Sequence, residues 1–404
     1  MKRVVLITSG QPSTNPRLVK EADALANSGY SVTVIYQYVS AWATEADKSL
    51  LKGKSWKALR VGGDPIFEKH SYFKTRIIFK AAVAFSRKFS IQKTLAKFAN
   101  GRCSFWLERE AKKHKADLYI AHNLAALPAA FHSSKKYGAK LGYDAEDFHR
   151  NEVSDDPNDF DVRLKTYVEN LYLKELDYFS TSSKLIAEAY QNIYPNLNPI
   201  VINNVFEIKH QPVSVLNDPR ELKLLWFSQT IGKNRGIEDA IKAINILNNQ
   251  DIELHLLGNC SNDIFRYFNE LANFDIKYYA PMPGDKIFEF ASKFDVGLAL
   301  EPGFCFNNKI ALSNKIFTYL ISGLAIIASE TDAQMDFISE NQRIGQSFEI
   351  GNIMELSLII NNLYQNRNLV NEFKKNAYHL AQSKYNWDVE KIKFLDIIKL
   401  NLAP

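Results

Sequence analysis

Cysteine is scarce in this chain. Cys103, Cys260 and Cys305 are the only three among 404 residues, and they lie far apart with no spacing that suits a metal. A disulfide framework is not expected, and the usage fits a reducing compartment. Long apolar runs are also missing, since no stretch approaches the roughly 20 residues that span a bilayer. The opening Met1–Thr8 has a charged start and an apolar core, as a leader would. It runs directly into Ser9-Gly-Gln-Pro12 and a polar amphipathic stretch, which reads better as a first β-strand, so a cytoplasmic protein is expected. No G-x-G-x-x-G follows either opening strand, which disfavours a dinucleotide dehydrogenase. The net charge of +5 is too small to argue for nucleic acid, and no nucleic-acid motif accompanies it. No short-period repeat is present.

What remains is a chain of ordinary globular composition, 46% hydrophobic and 24% charged, long enough for two domains of roughly 200 residues each. Short, unalternated, β-branched runs followed by helical patterns are the signature of buried parallel strands. In the first half these are Val4–Thr8, Val32–Tyr36, Leu118–Ala121, Leu141–Tyr143, Tyr178–Ser180 and Ile200–Ile202. A helix is expected to start at Pro16 and end near Gly29. In the second half the strands are Leu222–Phe227, Ile252–Leu257, Ile276–Tyr279, Val296–Leu300 and Ala325–Ala328. The polar, proline-bearing Asn203–Asp218 suits a hinge, and Trp387–Leu402 reads as a terminal helix. The fold class implied is α/β, with two doubly wound, Rossmann-like domains.

Ligands of such sheets sit beyond the carboxyl ends of the strands, which selects a handful of loops. In the first half, Ser9–Arg17 is small and polar and leads into a helix. It suits a sugar or phosphate, or else a plain strand-to-helix turn. His122, at a strand end, is placed to bond a sugar hydroxyl or move a proton, although a lone histidine is more often structural. The loop Asp144-Ala-Glu-Asp-Phe-His149 gathers three carboxylates and an imidazole, for a catalytic or acceptor-binding cluster or for helix capping. A metal there is conceivable, but none is expected.

The stretch Leu222–Ser329 is the richer half. An apolar strand breaks into Ser228-Gln-Thr-Ile-Gly-Lys-Asn-Arg-Gly236, and a helical pattern follows with Ile237, Ala240, Ile241, Ile244 and Leu247 on one face. That turn frees backbone N–H groups, the helix N-terminus adds partial positive charge, and Lys233 and Arg235 add two cations. Arg235 can grip a phosphate with two parallel hydrogen bonds. Gly258-Asn259 resembles a close-approach turn near a nucleotide, and Pro281-Met-Pro283 suits a wall against a base. Glu301 ends a strand, and Ser313-Asn-Lys315 opens a further helix that Ser313 or Asn314 can cap.

Ser313-Asn-Lys-Ile-Phe-x-Tyr-Leu-x-x-Gly323, followed by Ala325–Ala328, resembles the donor-binding signature of the family-4 glycosyltransferases. The resemblance extends to Ser228-Gln-Thr230 with Asn234-Arg-Gly236, to Phe294–Glu301, and to Asn15-Pro-Arg17. It covers nearly the whole chain apart from about residues 40–110. It implies the retaining, two-domain GT-B fold, with the domains facing each other across a cleft. Residues 1–205 would bind acceptor, residues 220–385 would bind a nucleotide diphosphate sugar, and the helix in 386–404 would pack back on the first domain. By the same resemblance His122, Lys233, Arg235 and Glu301 form the catalytic set. Gln229, Thr230, Gly258, Asn259, Met282, Asn314, Lys315 and Thr318 bind donor, and Gly10, Asn15, Arg17, Asp144, Glu146 and Asp147 bind acceptor. Many family members carry two glutamates separated by seven residues, the second in Phe-Glu-Tyr. Here those positions are Ile310 and Thr318, so the carboxylate that would hold the donor ribose is absent or replaced, with Glu301 as the available substitute.

From Lys69 to Leu107 there is no Asp or Glu, while Lys69, Lys74, Arg76, Lys80, Arg87, Lys88, Lys93, Lys97 and Arg102 alternate with aromatic and aliphatic residues. Such a segment suits an anionic membrane surface or a polyprenyl-diphosphate-linked acceptor, or else a solvated basic face. The function expected is a metal-independent glycosyltransferase of surface polysaccharide synthesis, cytoplasmic and peripheral on the inner face of the membrane. It would move a hexosyl-type sugar from a nucleotide sugar to a glycan or lipid-linked acceptor, with no cofactor and no nucleic acid. The rivals are a sugar-nucleotide epimerase of the same fold and a non-catalytic nucleotide-binding scaffold.

Overall fold

The apolar runs close into two parallel sheets, each in its own unit of the chain. The computed structural model describes residues 1–213 and 220–403; the last part of the expected hinge, 214–218, lies outside them. One unit comprises Met1–Ile202, Cys305–Asn307 and Lys391–Pro404, and the other Asn203–Phe304 and Asn308–Glu390. The terminal helix Trp387–Leu402 therefore begins in the second unit and continues in the first.

The first unit holds seven strands: β1 (Arg3–Thr8), β2 (Ser31–Gln37), β3 (Lys57–Val61), β4 (Leu118–His122), β5 (Lys140–Ala145), β6 (Tyr178–Thr181) and β7 (Ile200–Val201). They pair in the order β3-β2-β1-β4-β5-β6-β7, all parallel. Val4, Leu6 and Ile7 are completely buried, as a strand covered on both faces requires. The first helix, Pro16–Asn27, starts where proline is tolerated, and the Asn15 side chain accepts the Leu18 N–H at 3.0 Å.

The second unit holds β8 (Leu222–Thr230), β9 (Ile252–Asn259), β10 (Lys277–Tyr279), β11 (Val296–Ala299), β12 (Ala325–Ser329) and β13 (Gly345–Phe348), ordered β10-β9-β8-β11-β12-β13. Its core joins Leu224, Trp226 and Leu254 of the strands to Ile237, Ala240, Ile241 and Ile244 of the helix Ile237–Leu247.

The sheet-edge strands β3 and β13 have no counterpart in the apolar runs. Lys57-Ala-Leu-Arg-Val61 is half-exposed and carries two cations, and Gly345-Gln-Ser-Phe348 is mostly polar. An edge strand is covered less and so lacks the continuous apolar run that marks a central one. Among the described residues, no helix is long and apolar enough to cross a membrane.

Candidate functional site

In the first unit the strand order reverses between β1 and β4, the point where open sheets bind ligands. The register places Thr8, His122, Asp144 and Ser180 in one row across β1, β4, β5 and β6. Aligned residues of parallel strands share a face, so this row is a polar stripe at the carboxyl edge. The helix Pro16–Asn27 lays Arg17 and, one turn later, Glu21 against it.

Arg17, Asp144 and Ser180 satisfy one another, whereas the Glu21 carboxylate and both His122 nitrogens are buried beside them without a hydrogen bond among the described residues. The Arg17 Nη2 donates to Asp144 Oδ1 at 2.7 Å, its Nε donates to the other oxygen, and its Nη1 donates to the Ile202 carbonyl. Ser180 Oγ donates to Asp144 Oδ1 at 2.7 Å. His122 stands 3.2 Å from Glu21, 3.4 Å from Asp144 and 3.9 Å from Glu146. Burial alone would push this imidazole down, but Glu21, Asp144 and Glu146 together hold it well above the usual histidine range. Burial would raise Asp144, and Arg17 with His122 outweighs it, holding the carboxyl below its ordinary range. Burial pushes Glu21 up. Glu21, His122 and Asp144 bring three potential ligand atoms within 4.8 Å of one another. The Arg17 guanidinium already sits on Asp144 and 3.7 Å from Glu21, so the positive charge these carboxylates need comes from the protein.

Arg17, His122 and Asp144 are completely buried, and the layer above them is what a ligand would meet. Gly10 and Glu146 are half-buried there, and Asn15 donates to Glu146 at 2.7 Å. Asp147 accepts from Asn307 at 3.0 Å and is pushed up by burial. Two further residues belong to this site and carry no sequence-level assignment. Glu21 carries only the i,i+4 spacing from Arg17 as a signal. Asn123, with φ 69° and ψ 148°, occupies backbone space that an L-residue rarely adopts. Its Oδ1 accepts from Thr8 Oγ1 at 2.9 Å, leaving the Nδ2 donor free of a protein partner among the described residues.

The second unit reverses between β8 and β11, and the loops after these strands carry Lys233, Arg235 and Glu301. Pairing between β8 and β9 slips between Phe227 and Thr230, which frees the end of β8 to lead into the turn. Asn234 and Gly236 both take left-handed backbone, and Gly236 starts the helix Ile237–Leu247. Arg235 Nη1 donates to Ser228 Oγ at 2.8 Å, and Lys233 Nζ lies 3.7 Å from the centre of the Tyr267 ring. Both cations are exposed, and neither has a carboxylate partner among the described residues. A cavity of about 380 Å³ opens beside this turn, lined by Asn234, Gly236, Tyr267, Leu300, Glu301 and Ser329 among others.

Glu301 is held in place. Its Oε1 accepts from Ser313 Oγ at 2.8 Å and from Lys315 Nζ at 2.7 Å, and its backbone N–H donates to Ser329 Oγ at 2.8 Å. Burial would raise this carboxyl, but Lys315 outweighs it and draws it below its ordinary value. Ser313 occupies the cap position of the helix Asn314–Ser322 without capping it, because its hydroxyl is spent on Glu301. Asn314 is exposed at that helix start.

Other expected contacts lie differently. Thr318 is buried, its hydroxyl turned to the Asn314 carbonyl 3.5 Å away, and Ile310 is buried as well. No carboxylate stands in either place. Gly258 is a point of close approach, but to β8: a Cβ there would meet the Ser228 carbonyl oxygen at 2.5 Å. Gln229, Thr230 and Asn259 are exposed at their strand ends, and Met282 is half-buried. Two motif residues prove to be packing partners. The Tyr319 hydroxyl donates toward the Leu225 and Leu298 carbonyls, tying β8 to β11, and a Cβ at Gly297 would lie 2.2 Å from the Tyr319 ring.

No family model and no curated protein matches the sequence. Solved structures do match across its whole length. Sucrose-phosphate synthase from Thermosynechococcus elongatus is similar with a TM-score of 0.74 at 13% identity, covering 100% of both chains. The HepE protein of Anabaena, in complex with UDP, is similar at 0.67 and 14% identity over 99% of this chain and 100% of its own. A UDP-N-acetylglucosamine 2-epimerase described from Listeria monocytogenes is similar at 0.63 and 12% identity over 100% of this chain and 97% of its own. Likeness at such low identity speaks for the fold alone, and the fold is GT-B: two Rossmann-like domains with parallel sheets of seven and six strands.

Proposed function

We propose that this chain is a glycosyltransferase of the family-4 type. It transfers a hexosyl-type sugar, with retention of configuration, from a nucleotide diphosphate sugar to a glycan or polyprenyl-linked acceptor in surface polysaccharide synthesis. The observation that carries the reading is the turn at the β8–β11 reversal, where Lys233 and Arg235 stand exposed, without carboxylate partners among the described residues, at the start of a helix. Breaking a glycosidic bond to a nucleotide throws negative charge onto the leaving diphosphate. Two fixed cations and a helix N-terminus stabilise that charge with no metal. Glu301, pinned by Ser313 and Lys315, lines the cavity beside that turn and is available to the sugar or ribose hydroxyls in place of the carboxylate missing at Thr318. Ligands of the neighbours support the donor class, since HepE structures hold UDP and UDP-glucose. The acceptor is assigned to the layer of Gly10, Asn15, Glu146 and Asp147, with Arg17, His122 and Asp144 holding it from beneath. The protein works at the cytoplasmic face of a membrane.

The test is release of nucleoside diphosphate from a panel of nucleotide sugars, with and without membrane lipid extract. Release that needs the extract, and that falls at least about 100-fold in Arg235→Ala, is the expected result. Nucleotide binding without release under any condition would overturn it in favour of a scaffold. The epimerase among the neighbours gives a second reading, in which donor alone is converted to its epimer. Asp144 is taken up by Arg17 and Ser180, so that reading relies on His122, Glu146 and Asp147 for its acids and bases.

A further inference from the structure

The helix Lys69–Lys88 exposes large apolar residues on its water-facing side. It buries Thr75, Ala82 and Ser86 against the first unit and presents Phe73, Ile77 and Phe85 to solvent at 54%, 68% and 55% exposure. Phe89 follows at the helix end with 66%. Positions 73, 77, 81 and 85 advance by four residues, a little over one turn each, so these side chains follow one another along the water-facing side of a helix roughly 30 Å long in a ridge that winds gradually round it. A water-facing helix surface ordinarily carries the polar residues and a core-facing one the apolar residues. The turn before the helix adds to the ridge. Asp64 accepts the Ile66 and Phe67 N–H groups at 2.8 and 2.7 Å, which holds Ile66 (57% exposed) and Phe67 (84%) outward.

Charge accompanies this apolar ridge. Lys69, Lys74, Lys80 and Lys88 are exposed along the same helix, and none pairs with a carboxylate among the described residues. Arg87 lies over the Phe160 ring at 4.9 Å, beside a cavity of about 470 Å³ lined by Phe79, Val83, Ala84 and Leu164. A protein partner matching this surface would need an acidic rim and an apolar groove together. A bilayer containing anionic lipid offers both in one plane, with phosphates at the depth of the ammonium groups and acyl chains beneath them.

We infer that Ile66, Phe67, Phe73, Ile77, Phe85 and Phe89, with the lysines between them, dock this protein on an anionic membrane by inserting shallowly into its interface. This deepens the peripheral-membrane part of the proposed function by naming the surface. The docking itself needs neither nucleotide nor turnover.

The experiment is co-sedimentation of the full chain with phosphatidylglycerol-containing vesicles and with pure phosphatidylcholine vesicles. Wild type is expected to pellet with the anionic vesicles only, and less at high salt. Phe73→Ser/Phe85→Ser/Phe89→Ser is expected to weaken that binding at least about tenfold. Each of Lys74→Gln and Lys88→Gln is expected to weaken it up to about fivefold. These positions are exposed, so the melting temperature of each variant should match wild type. A Phe85→Trp variant adds a direct readout: its added emission should shift to the blue on anionic vesicles. Binding that is absent in wild type, or unchanged in the triple variant, would overturn the inference. So would a wild-type dimer that the triple variant abolishes while vesicles bind neither, since the ridge would then be a contact between copies. A soluble acceptor substitute in the turnover assay keeps this outcome separate from failure of the transferase reading.

Discussion

Arg17 and Asp144, 127 residues apart, meet as a two-pronged ion pair at the carboxyl edge of the first sheet, and neither touches solvent. Removing one partner leaves a charge stranded in the interior. Arg17→Met is expected to destabilise the first unit by about 3–5 kcal/mol, and the double change Arg17→Met/Asp144→Leu by less than the sum of the singles. Denaturant unfolding followed by a probe in the first unit measures both. Equal stability of Arg17→Met and wild type would show that the pair contributes nothing.

His122 makes that stability depend on pH. Its folded-state pKa is raised by the three carboxylates around it, so the folded chain holds the proton more tightly than the unfolded chain, whose value is about 6.5. The contribution is complete below the unfolded value and is lost as pH climbs through the raised one. Melting temperature is therefore expected to fall on the alkaline side, and to fall less steeply in His122→Gln. Asp144 behaves oppositely: with its pKa held down in the folded chain, its contribution is present above the ordinary carboxylate range and disappears only in strong acid.

Asn123 stores backbone strain at the tip of β4. Asn123→Ala and Asn123→Gly both delete the amide that Thr8 and Ser9 bond, so the difference between them isolates the backbone term. The glycine variant should be the more stable of the two by about 1–3 kcal/mol. Thermal unfolding of the pair decides it, and identical values would mean that the local geometry relaxes at no cost.

Glu301 and Lys315 neutralise each other at 2.7 Å. Glu301→Gln keeps an acceptor for Ser313 and releases the ammonium. Nucleoside diphosphate is expected to bind this variant at least as tightly as wild type, by titration calorimetry, while turnover of the sugar donor falls. Weaker diphosphate binding would indicate that the carboxylate, rather than the lysine, orders the site.

The central strands were legible because burial on both faces demands unbroken apolar runs, and Val4–Thr8 or Ala325–Ala328 cannot be much else. Edge strands obey no such demand, and Lys57–Val61 and Gly345–Phe348 left no trace in the hydropathy pattern. The site divides in a similar way. Its residues stand at strand ends, which the runs locate, but their partners depend on register and rotamer. Nothing in the string of letters says that Ser313 abandons its helix for Glu301, that Thr318 is buried, or that Glu21 completes a cage around His122. The basic, aromatic segment showed its composition, whereas which of its apolar residues face water needed three dimensions.

Gly297 and Tyr319 have a consequence for the history of the sequence. One supplies the hollow and the other the ring that fills it, where β8 and β11 stay paired only at Val296–Leu224 and Gly297–Leu225. Neither position is free to drift alone: a methyl group at 297 evicts the ring, and a smaller residue at 319 unties the two strands beneath the cation-bearing turn. Among divergent relatives the two should change as a couple, a correlated signature that outlasts overall identity.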